Sequence, residues 1–325
     1  MIKILSSAAA IALTLSIGPA LAADLPSRKG PPPIYVPPPP PPMWTGFYLG
    51  LNAGGTFGGS NSVITSGGPL GLINGPWPVW CVPYYTNVNN AFGLAANSVN
   101  PVSNGGFIGG GQAGYNYQFN NAFVVGLEAD IQGIAGSSGS SSVSGFSPMA
   151  VPSYALANNV ASTATASKSL DYLGTVRGRI GYLINPTLLV YGTGGLAYGG
   201  ANLNTSIFAS DTANVFQPTF GGSSYSSTLV GWTAGGGLEW MFMPNWSAKL
   251  EYLYYDLGTV TTPGSMSAVS YNSYTDGYGA FHSSAQFAAI AQQTSAHFNG
   301  HIVRAGVNYH FNWWGGEPAP ILAKY

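Results

Sequence analysis

The residues best able to do chemistry in this chain are acids and bases that recur at every second position of short alternating stretches. Successive side chains of a β-strand point to opposite faces, so Glu128 and Asp130 share the face opposite Val125, Leu127 and Ile131. The same alternation places these charged side chains on one surface: Glu128, Asp130, Asp171, Arg177, Arg179, Glu239, Lys249, Glu251 and Arg304. Acids and bases are nearly balanced there, and an unpaired buried ion carries a large desolvation penalty. We predict a polar plug of paired charges, with a narrow ion path or gate built from the same residues as the alternative.

Cofactor-binding and metal-binding patterns are weak. The sequence GTGGLA at 192–197 matches a loosened dinucleotide fingerprint, with Asp211 near the expected offset, but no helical periodicity follows it. His297 and His301 are four residues apart without an obvious third ligand, which favours histidines at the rim of the fold over a metal site. We predict neither a cofactor nor a metal.

Catalysis would require a nucleophile with a histidine and a carboxylate, or paired carboxylates with a histidine, gathered at one end of the fold. His282, His297, Asp256 and Asp276 lie near the ends of alternating stretches, on the side where the connections are long. We predict that the chain is not an enzyme and keep this set as the alternative.

Composition decides which way the alternating faces point. Charged residues make up only 6% of 325 residues, too few to coat a soluble surface. No stretch after the N-terminus approaches 18 unbroken apolar residues, and backbone polar groups in lipid must all be paired, which leaves a closed barrel. The sequence therefore predicts an all-β transmembrane barrel with its apolar face toward lipid. A net charge of −1 gives no electrostatic argument for nucleic acid.

Eight alternating segments predict eight antiparallel strands. They cover 46–57, 107–119, 123–133, 170–182, 188–198, 229–242, 246–256 and 301–311. Tight turns at Asn120 and Asn121, at Asn185 and Pro186, and at 243–245 alternate with long connections rich in Gly, Ser and Asn. This alternation is typical of short periplasmic turns and long extracellular loops. In 188–198 both faces are apolar or Gly, so the pattern does not define that register.

Aromatic residues support this arrangement, because the turn-side ends of all strands must lie at one membrane depth. We predict a periplasmic aromatic girdle, with a β-sandwich core as the alternative use of the same rings. Its members are Phe47, Tyr117, Phe119, Phe123, Tyr182, Trp240, Phe242, Trp246, Tyr309 and Phe311.

The N-terminal residues have the layout of an exported protein. Lys3, an apolar stretch and a small-x-small site predict a signal peptide over 1–22 with cleavage after Ala22; an N-terminal membrane anchor is the alternative. A Pro-rich periplasmic spacer follows over 23–43, then the barrel over 44–311 and a C-terminal extension over 312–325; binding of the Pro-rich segment to a partner or to the cell wall is the alternative to a simple spacer. Cys81 has no partner in the chain and is expected to be an inert loop thiol, with an intermolecular disulfide as the alternative.

The first long connection, about 58–106, contains aromatic residues among prolines. Trp77, Trp80, Tyr84 and Tyr85 predict either a binding surface or a packed lid.

Several motifs in order resemble the porin-like small outer-membrane barrels and surface antigens of alphaproteobacteria, which share the β-barrel domain of OmpA-like proteins. They are WTGFYLG at 44–50, GGFIGGGQAGYNY at 105–117, VGLEADIQ at 125–132, GTVRGRIGY at 174–182, LVYGTGGLAY at 189–198 and VRAGVNYHF at 303–311. The resemblance implies a structural barrel, a weak porin, a surface antigen or a haemin binder. It also implies a terminal aromatic read by the assembly machinery, which would be Phe311 or, after the extension, Tyr325.

Taken together, we predict an envelope barrel in the bacterial outer membrane with at most porin-like passive permeability to small solutes. A loop-based adhesin or ligand receptor is the alternative. The expected partners are outer-membrane lipid and lipopolysaccharide, the assembly machinery and an extracellular ligand at the loops.

Overall fold

A computed structural model of the chain describes residues 43–73, 90–103, 105–149, 158–212, 217–275 and 278–311. The predicted signal peptide with Ala22, nearly all of the Pro-rich spacer, the C-terminal extension, Cys81 and the four loop aromatics lie outside these ranges. Within them, no helix has the length and apolarity needed to cross a membrane.

The described residues form an antiparallel sheet of eleven strands. The strands are β1 (Gly46–Gly58), β2 (Ser62–Ile73), β3 (Ser98–Pro101), β4 (Gly106–Phe119), β5 (Phe123–Ala135), β6 (Gly139–Met149), β7 (Asn158–Asn185), β8 (Leu188–Asp211), β9 (Thr219–Met243), β10 (Trp246–Thr275) and β11 (Phe281–Phe311). A short helical segment covers residues 90–95.

Eight of these strands pair in a closed cycle. The order is β1, β4, β5, β7, β8, β9, β10 and β11, and β1 pairs with β11 from Phe47 opposite Phe311 to Gly58 opposite Gly300. Closure pairs the edges that an open sheet would leave free. The predicted all-β fold is confirmed, and the eight predicted segments lie in these eight strands.

The strands extend further than the alternating segments suggested. β7 has 28 residues and β11 has 31, whereas a tilted membrane-spanning strand needs about 9–11. β2, β3 and β6 belong to stretches expected to be loops. β2 and β6 pair with the extended parts of β11 and β7, and β3 pairs with β2. The Ser- and Gly-rich composition of these stretches has no apolar period from which a strand could be predicted, and β2 pairs with a strand far along the chain.

Short connections define what we call the turn end of the barrel, and the opposite end is the loop end. Asn120, Asn121 and Asn245 adopt positive φ in these turns, a conformation that Asn tolerates better than most residues. The unassigned register of 188–198 is resolved by pairing with β7 and β9: Leu189 and Tyr191 point inward, while Val190 and Leu196 point outward.

The barrel interior is filled in layers from the turn end to the loop end. At the turn end, Trp44 is fully buried and donates a hydrogen bond from Nε1 to the Pro186 carbonyl oxygen at 3.0 Å. The apolar layer around it contains Val124, Leu183, Leu189, Tyr191 and Met241. The charged residues follow, and above them lies a larger apolar layer that includes Ile108, Leu170, Leu173, Leu203, Leu253, Tyr255, Phe298 and Ile302.

At the loop end, the short helical segment 90–95 lies inside the barrel. Ala91 and Phe92, with Ala96 just after the segment, pack against inward side chains of β7, β8, β10 and β11. The Ser162 hydroxyl donates to the Ala95 carbonyl oxygen at 2.6 Å. The prediction of a polar interior therefore holds for one layer, because an eight-stranded barrel is narrow enough for apolar side chains to fill the rest.

Candidate functional site

The charged layer, which we call the lumen network, is built by five strands. Glu128 and Asp130 come from β5, Arg177 and Arg179 from β7, and Glu239, Lys249, Glu251 and Arg304 from β9, β10 and β11. Strand register places opposite charges directly across from one another: Glu128 faces Arg177, Lys249 faces Glu239, and Glu251 faces Arg304. Cross-strand pairs of opposite charge stabilise a sheet locally, so the ring is linked by ionic contacts as well as by backbone ladders.

Arg177 lies at the centre of the network. Its Nη2 is 2.8 Å from Asp130 Oδ2 and also contacts Glu128, while Nη1 is 2.9 Å from Glu251 Oε1. Its Nε donates to the Thr175 hydroxyl at 2.9 Å. One guanidinium therefore joins carboxylates of two strands that are not neighbours, β5 and β10, because its planar fork presents several donors at once.

Arg304 closes the loop-side part of the network. Its Nη2 is 2.8 Å from Asp130 Oδ2 and 2.6 Å from Glu251 Oε2, and its Nη1 donates to Gln132 Oε1 at 3.2 Å. Lys249 Nζ approaches both oxygens of Glu128, at 2.9 and 3.1 Å.

Arg179 anchors the turn-side part of the network. Its Nη2 is 2.6 Å from Glu239 Oε2, and its guanidinium lies 4.0 Å from the ring centroid of Tyr191. The Tyr48 hydroxyl accepts from Arg179 Nη1 at 3.0 Å and donates to Glu128 Oε2 at 2.6 Å.

Glu239 is also held by uncharged partners. Ser247 Oγ and Asn308 Nδ2 donate to its Oε1 at 2.6 and 2.7 Å, and His310 Nε2 lies 3.5 Å away.

The network is balanced and dry. Four carboxylates meet four permanently or normally cationic groups, and their side chains are at most 2% exposed. Ions taken out of water to this degree need close partners and hydrogen bonds for compensation, and each of them has several. This geometry cross-links and fills the bore.

Asp171 is not part of the lumen network, and that prediction was wrong. β7 contains a register shift between Leu170 and Leu173 against β8. The extra residue reverses the alternation, so Asp171 is exposed on the outer face, where its Oδ2 accepts from Asn202 Nδ2 at 2.9 Å. Below the shift odd-numbered residues of β7 point inward, and above it even-numbered ones do.

The same reversal buries Lys168, which sequence reasoning missed. This side chain lies on the loop-end extension of β7, donates to the Ser60 carbonyl oxygen at 3.1 Å and to the His297 carbonyl oxygen, and lies 4.8 Å from the Phe298 ring centroid. Burial lowers the pKa of its ammonium group to about 8. No ion pair with a described carboxylate accompanies it.

Tyr48, Tyr191, Asn308 and His310 were also missed as parts of the network. For Asn308 and His310 a signal existed, because they lie four and six residues from Arg304 on the same strand, and an even separation places side chains on the same face. Gln132, two residues from Asp130, lies on the face that the alternation predicted to point inward.

The predicted periplasmic girdle residues point outward at the turn end of the barrel. Their rings contact one another across strands, as in the Phe47–Tyr115, Phe123–Tyr182 and Trp246–Tyr309 pairs, with centroids 4.8 to 5.4 Å apart. The structure places the ten residues as follows: Phe47, Tyr117, Phe119, Phe123, Tyr182, Trp240, Phe242 and Trp246 are exposed, and Tyr309 and Phe311 are half-buried.

The histidines near the loop end lie on the outer face. His301 Nδ1 is 2.7 Å from the Tyr252 hydroxyl, and His297 lies between the Thr259 hydroxyl at 2.8 Å and Asp256 Oδ2 at 3.3 Å. In the part of the chain that the structure describes, no three His, Cys, Asp or Glu side chains gather around a common point.

The remaining residues considered for catalysis add no site. The side chains of His282 and Asp276 lie outside the described residues. Residues 192–197, the dinucleotide-like sequence, lie inside β8, which continues as a strand to Asp211, so the helix that such a site requires is replaced by sheet.

Comparison with known proteins places this geometry among bacterial envelope barrels. The family model described as the outer membrane protein beta-barrel domain matches residues 42–311. The 31 kDa outer-membrane immunogenic protein of Brucella melitensis is 32% identical over 259 residues, which cover 78% of this chain and 86% of that protein. The 22 kDa outer membrane protein of Rhizobium leguminosarum bv. viciae is 34% identical over 45% of this chain and 52% of that protein.

Solved structures that align with this chain include Ail of Yersinia pestis, with 12% identity and a TM-score of 0.24. The alignment covers 82% of this chain and 99% of Ail. OprG of Pseudomonas aeruginosa aligns with 11% identity over 82% of this chain and 97% of its own, at a TM-score of 0.28.

Proposed function

Because the chain belongs to the outer membrane protein β-barrel family and lies in the bacterial outer membrane, we propose that it acts chiefly as a structural envelope protein with a closed bore. In this role the barrel passes small solutes slowly at most. The resemblance to alphaproteobacterial outer-membrane antigens is confirmed by the relatives from Brucella and Rhizobium, which are named as outer-membrane proteins and not as enzymes.

The filled lumen is the observation that carries this proposal. Arg177 and Arg304 reach across the barrel axis to carboxylates on non-adjacent strands, and both side chains are fully buried. A diffusion pore instead needs a water-filled path, in which charged side chains line the wall and leave the axis free. The apolar layers on either side of the network oppose ion passage further, since an ion there would have neither water nor a counter-charge.

The outer-face histidine does not argue for catalysis. Thr259, His297 and Asp256 form a chain of hydrogen bonds. An acyl-transfer site also needs N–H donors that point at the developing oxyanion. The nearby backbone N–H of Gly258 does not serve this purpose, because it donates to Asp256 Oδ1 at 2.8 Å, and we therefore include the absence of catalytic activity in the proposal.

Conductance in planar bilayers tests the closed bore. The refolded protein is expected to give no steady open-channel currents under conditions in which a general diffusion porin, run in parallel, gives clear current steps. Trp44→Ala is the informative variant, because it removes the turn-end cover and leaves the lumen network intact. It should remain silent as well.

Steady currents in the wild-type protein would contradict the proposal. Currents that appear only in Trp44→Ala would show that the bore is gated by the turn-end tryptophan and is not filled by the network.

A further inference from the structure

The barrel continues well beyond the lipid on its extracellular side. β8 has 24 residues, of which about 9–11 suffice to span the membrane. The remaining residues, rising about 3.3 Å each along strands tilted by about 40°, extend the sheet by about 35 Å above the bilayer. This height corresponds to the zone that the saccharide chains of lipopolysaccharide occupy in the outer leaflet.

One lateral surface of this extension has an unusual composition. We call it the β6–β9 outer face, and it consists of Ser142, Ser144, Phe146, Thr163, Thr165, Ser167, Asn204, Ser206, Phe208, Phe220, Ser224 and Ser226. Among the described residues, no charged side chain points from this face. Asp171, at its lower border, is the nearest outward charge on β7, while Lys168 and Asp211 are buried.

Hydroxyl groups on the face are ordered in cross-strand pairs. Ser142 and Thr165 lie 2.7 Å apart, and Ser144 and Thr163 lie 3.2 Å apart. A hydroxyl donates one hydrogen bond and can accept two, so each pair retains capacity for a further partner. The amide of Asn204 is exposed and makes no side-chain hydrogen bond to another described residue.

Aromatic rings lie exposed at the outer border of the same face. Phe146 is 76% exposed and Phe220 is 72% exposed, and Phe220 contacts Phe208 with ring centroids 5.0 Å apart. On β8, Phe208 lies ten residues beyond the alternating segment 188–198 and pairs with Phe220, so we expect these rings to lie above the acyl chains. Exposed apolar groups grouped in this way mark an interaction surface.

We propose that the β6–β9 outer face binds uncharged sugar residues in the saccharide chain of lipopolysaccharide molecules in the same leaflet. The exposed phenylalanine rings pack against the apolar C–H faces of pyranose rings, and the paired hydroxyls and the Asn204 amide exchange hydrogen bonds with sugar hydroxyls. The face looks sideways along the membrane, toward neighbouring lipopolysaccharide.

Charge argues against other partners. All Lys and Arg side chains in the described residues are buried in the barrel: Lys168, Arg177, Arg179, Lys249 and Arg304. A phosphate group or a sulfated glycan would therefore find no cation on this face, whereas a neutral sugar needs none. The inference depends on insertion in the outer membrane and is independent of whether the bore conducts.

Hydroxyl-radical footprinting on the wild-type protein tests the inference directly. The protein is refolded into vesicles that contain either complete lipopolysaccharide or lipid A without saccharide, and oxidation of each phenylalanine is followed by mass spectrometry. Phe281 is the matched control, since it is 71% exposed on β11 and lies outside the β6–β9 outer face. Oxidation of Phe146 and Phe220 should be about threefold slower with complete lipopolysaccharide, a change at least about twice that of Phe281.

A binding titration provides the second arm. The probe is the saccharide released from lipopolysaccharide by mild acid, followed by NMR with the folded protein in micelles. Phe146→Ser with Phe220→Ser should weaken binding about fivefold, whereas Phe281→Ser should change it less than about twofold. Both substitutions are at exposed positions, so folding should be preserved.

Three results would overturn the inference. Equal protection by lipid A alone would assign the contact to the lipid headgroup, and equal protection of all three phenylalanines would indicate general crowding. A sulfated saccharide that binds better than the neutral one would contradict the argument from charge.

Discussion

Replacing Arg177 with methionine should strongly destabilise the barrel, because Arg177 donates hydrogen bonds to Glu128, Asp130 and Glu251 at once. Methionine retains much of the side-chain length but cannot donate or carry charge. The substitution would leave four buried carboxylates facing three cations. Removing one partner of a buried ion pair typically costs about 3–5 kcal/mol, so we expect a loss of this size in the free energy of unfolding.

The remaining contacts show how this loss can be reversed. If Glu251→Gln is added to Arg177→Met, three acids and three bases remain and can form three separate pairs. They are Glu128 with Lys249, Asp130 with Arg304, and Glu239 with Arg179. We therefore expect the double variant to be more stable than Arg177→Met by about 2 kcal/mol, although it has lost one more native contact.

Urea titration of the refolded protein in micelles measures these differences, with unheated and heated gel migration as a second readout of the folded state. Asp171→Asn is the matched control, because this carboxylate was assigned to the network by sequence but is exposed outside it. It should change stability by less than about 0.5 kcal/mol. If the double variant is as unstable as Arg177→Met or less stable, the loss in Arg177→Met does not come from an unpaired buried carboxylate, and the reasoning fails.

Two further predictions concern single positions. A Cβ added at Gly110 would collide with the Ile131 carbonyl oxygen, whereas one added at the neighbouring Gly111 would lie 3.8 Å from its nearest atom. Gly110→Ala should therefore lower the free energy of unfolding by about 1–3 kcal/mol, seen as a smaller folded fraction on gels, and Gly111→Ala should not. Burial lowers the pKa of Lys168 from 10.5 to about 8, so the unfolded chain binds more protons than the folded chain between these values. The wild-type protein should therefore gain unfolding free energy relative to Lys168→Met as pH rises from about 8 to about 10.5, and parallel pH profiles for the two proteins would contradict this.

The sequence was sufficient to predict the membrane-spanning part of the fold. In a chain with so few charges, a period of two with apolar residues on one side predicts strands whose apolar face meets lipid. Val125, Leu127 and Ile131 alternate with Glu128 and Asp130, and no soluble arrangement would expose so much apolar surface. The aromatic positions at the strand ends followed from the same period.

Local pattern failed where alternation is interrupted or absent. Asp171 was placed inward because the period was extended through the register shift at 170–173, and a single extra residue reverses every side chain beyond it. The same shift concealed Lys168. β2, β3 and β6 were missed because Ser- and Gly-rich stretches have no apolar period, and their pairing depends on β11 and β7.

The sequence alone determined that the barrel lies in a membrane and which face of each membrane-spanning strand meets lipid, since both follow from side-chain type at every second position. Only the tertiary structure decided which charges touch and that Arg177 joins two non-adjacent strands. It also decided that apolar layers close the bore above and below the network. The physical reason is that these contacts cross the barrel between residues up to 174 positions apart, and ring closure and register bring them within hydrogen-bond distance.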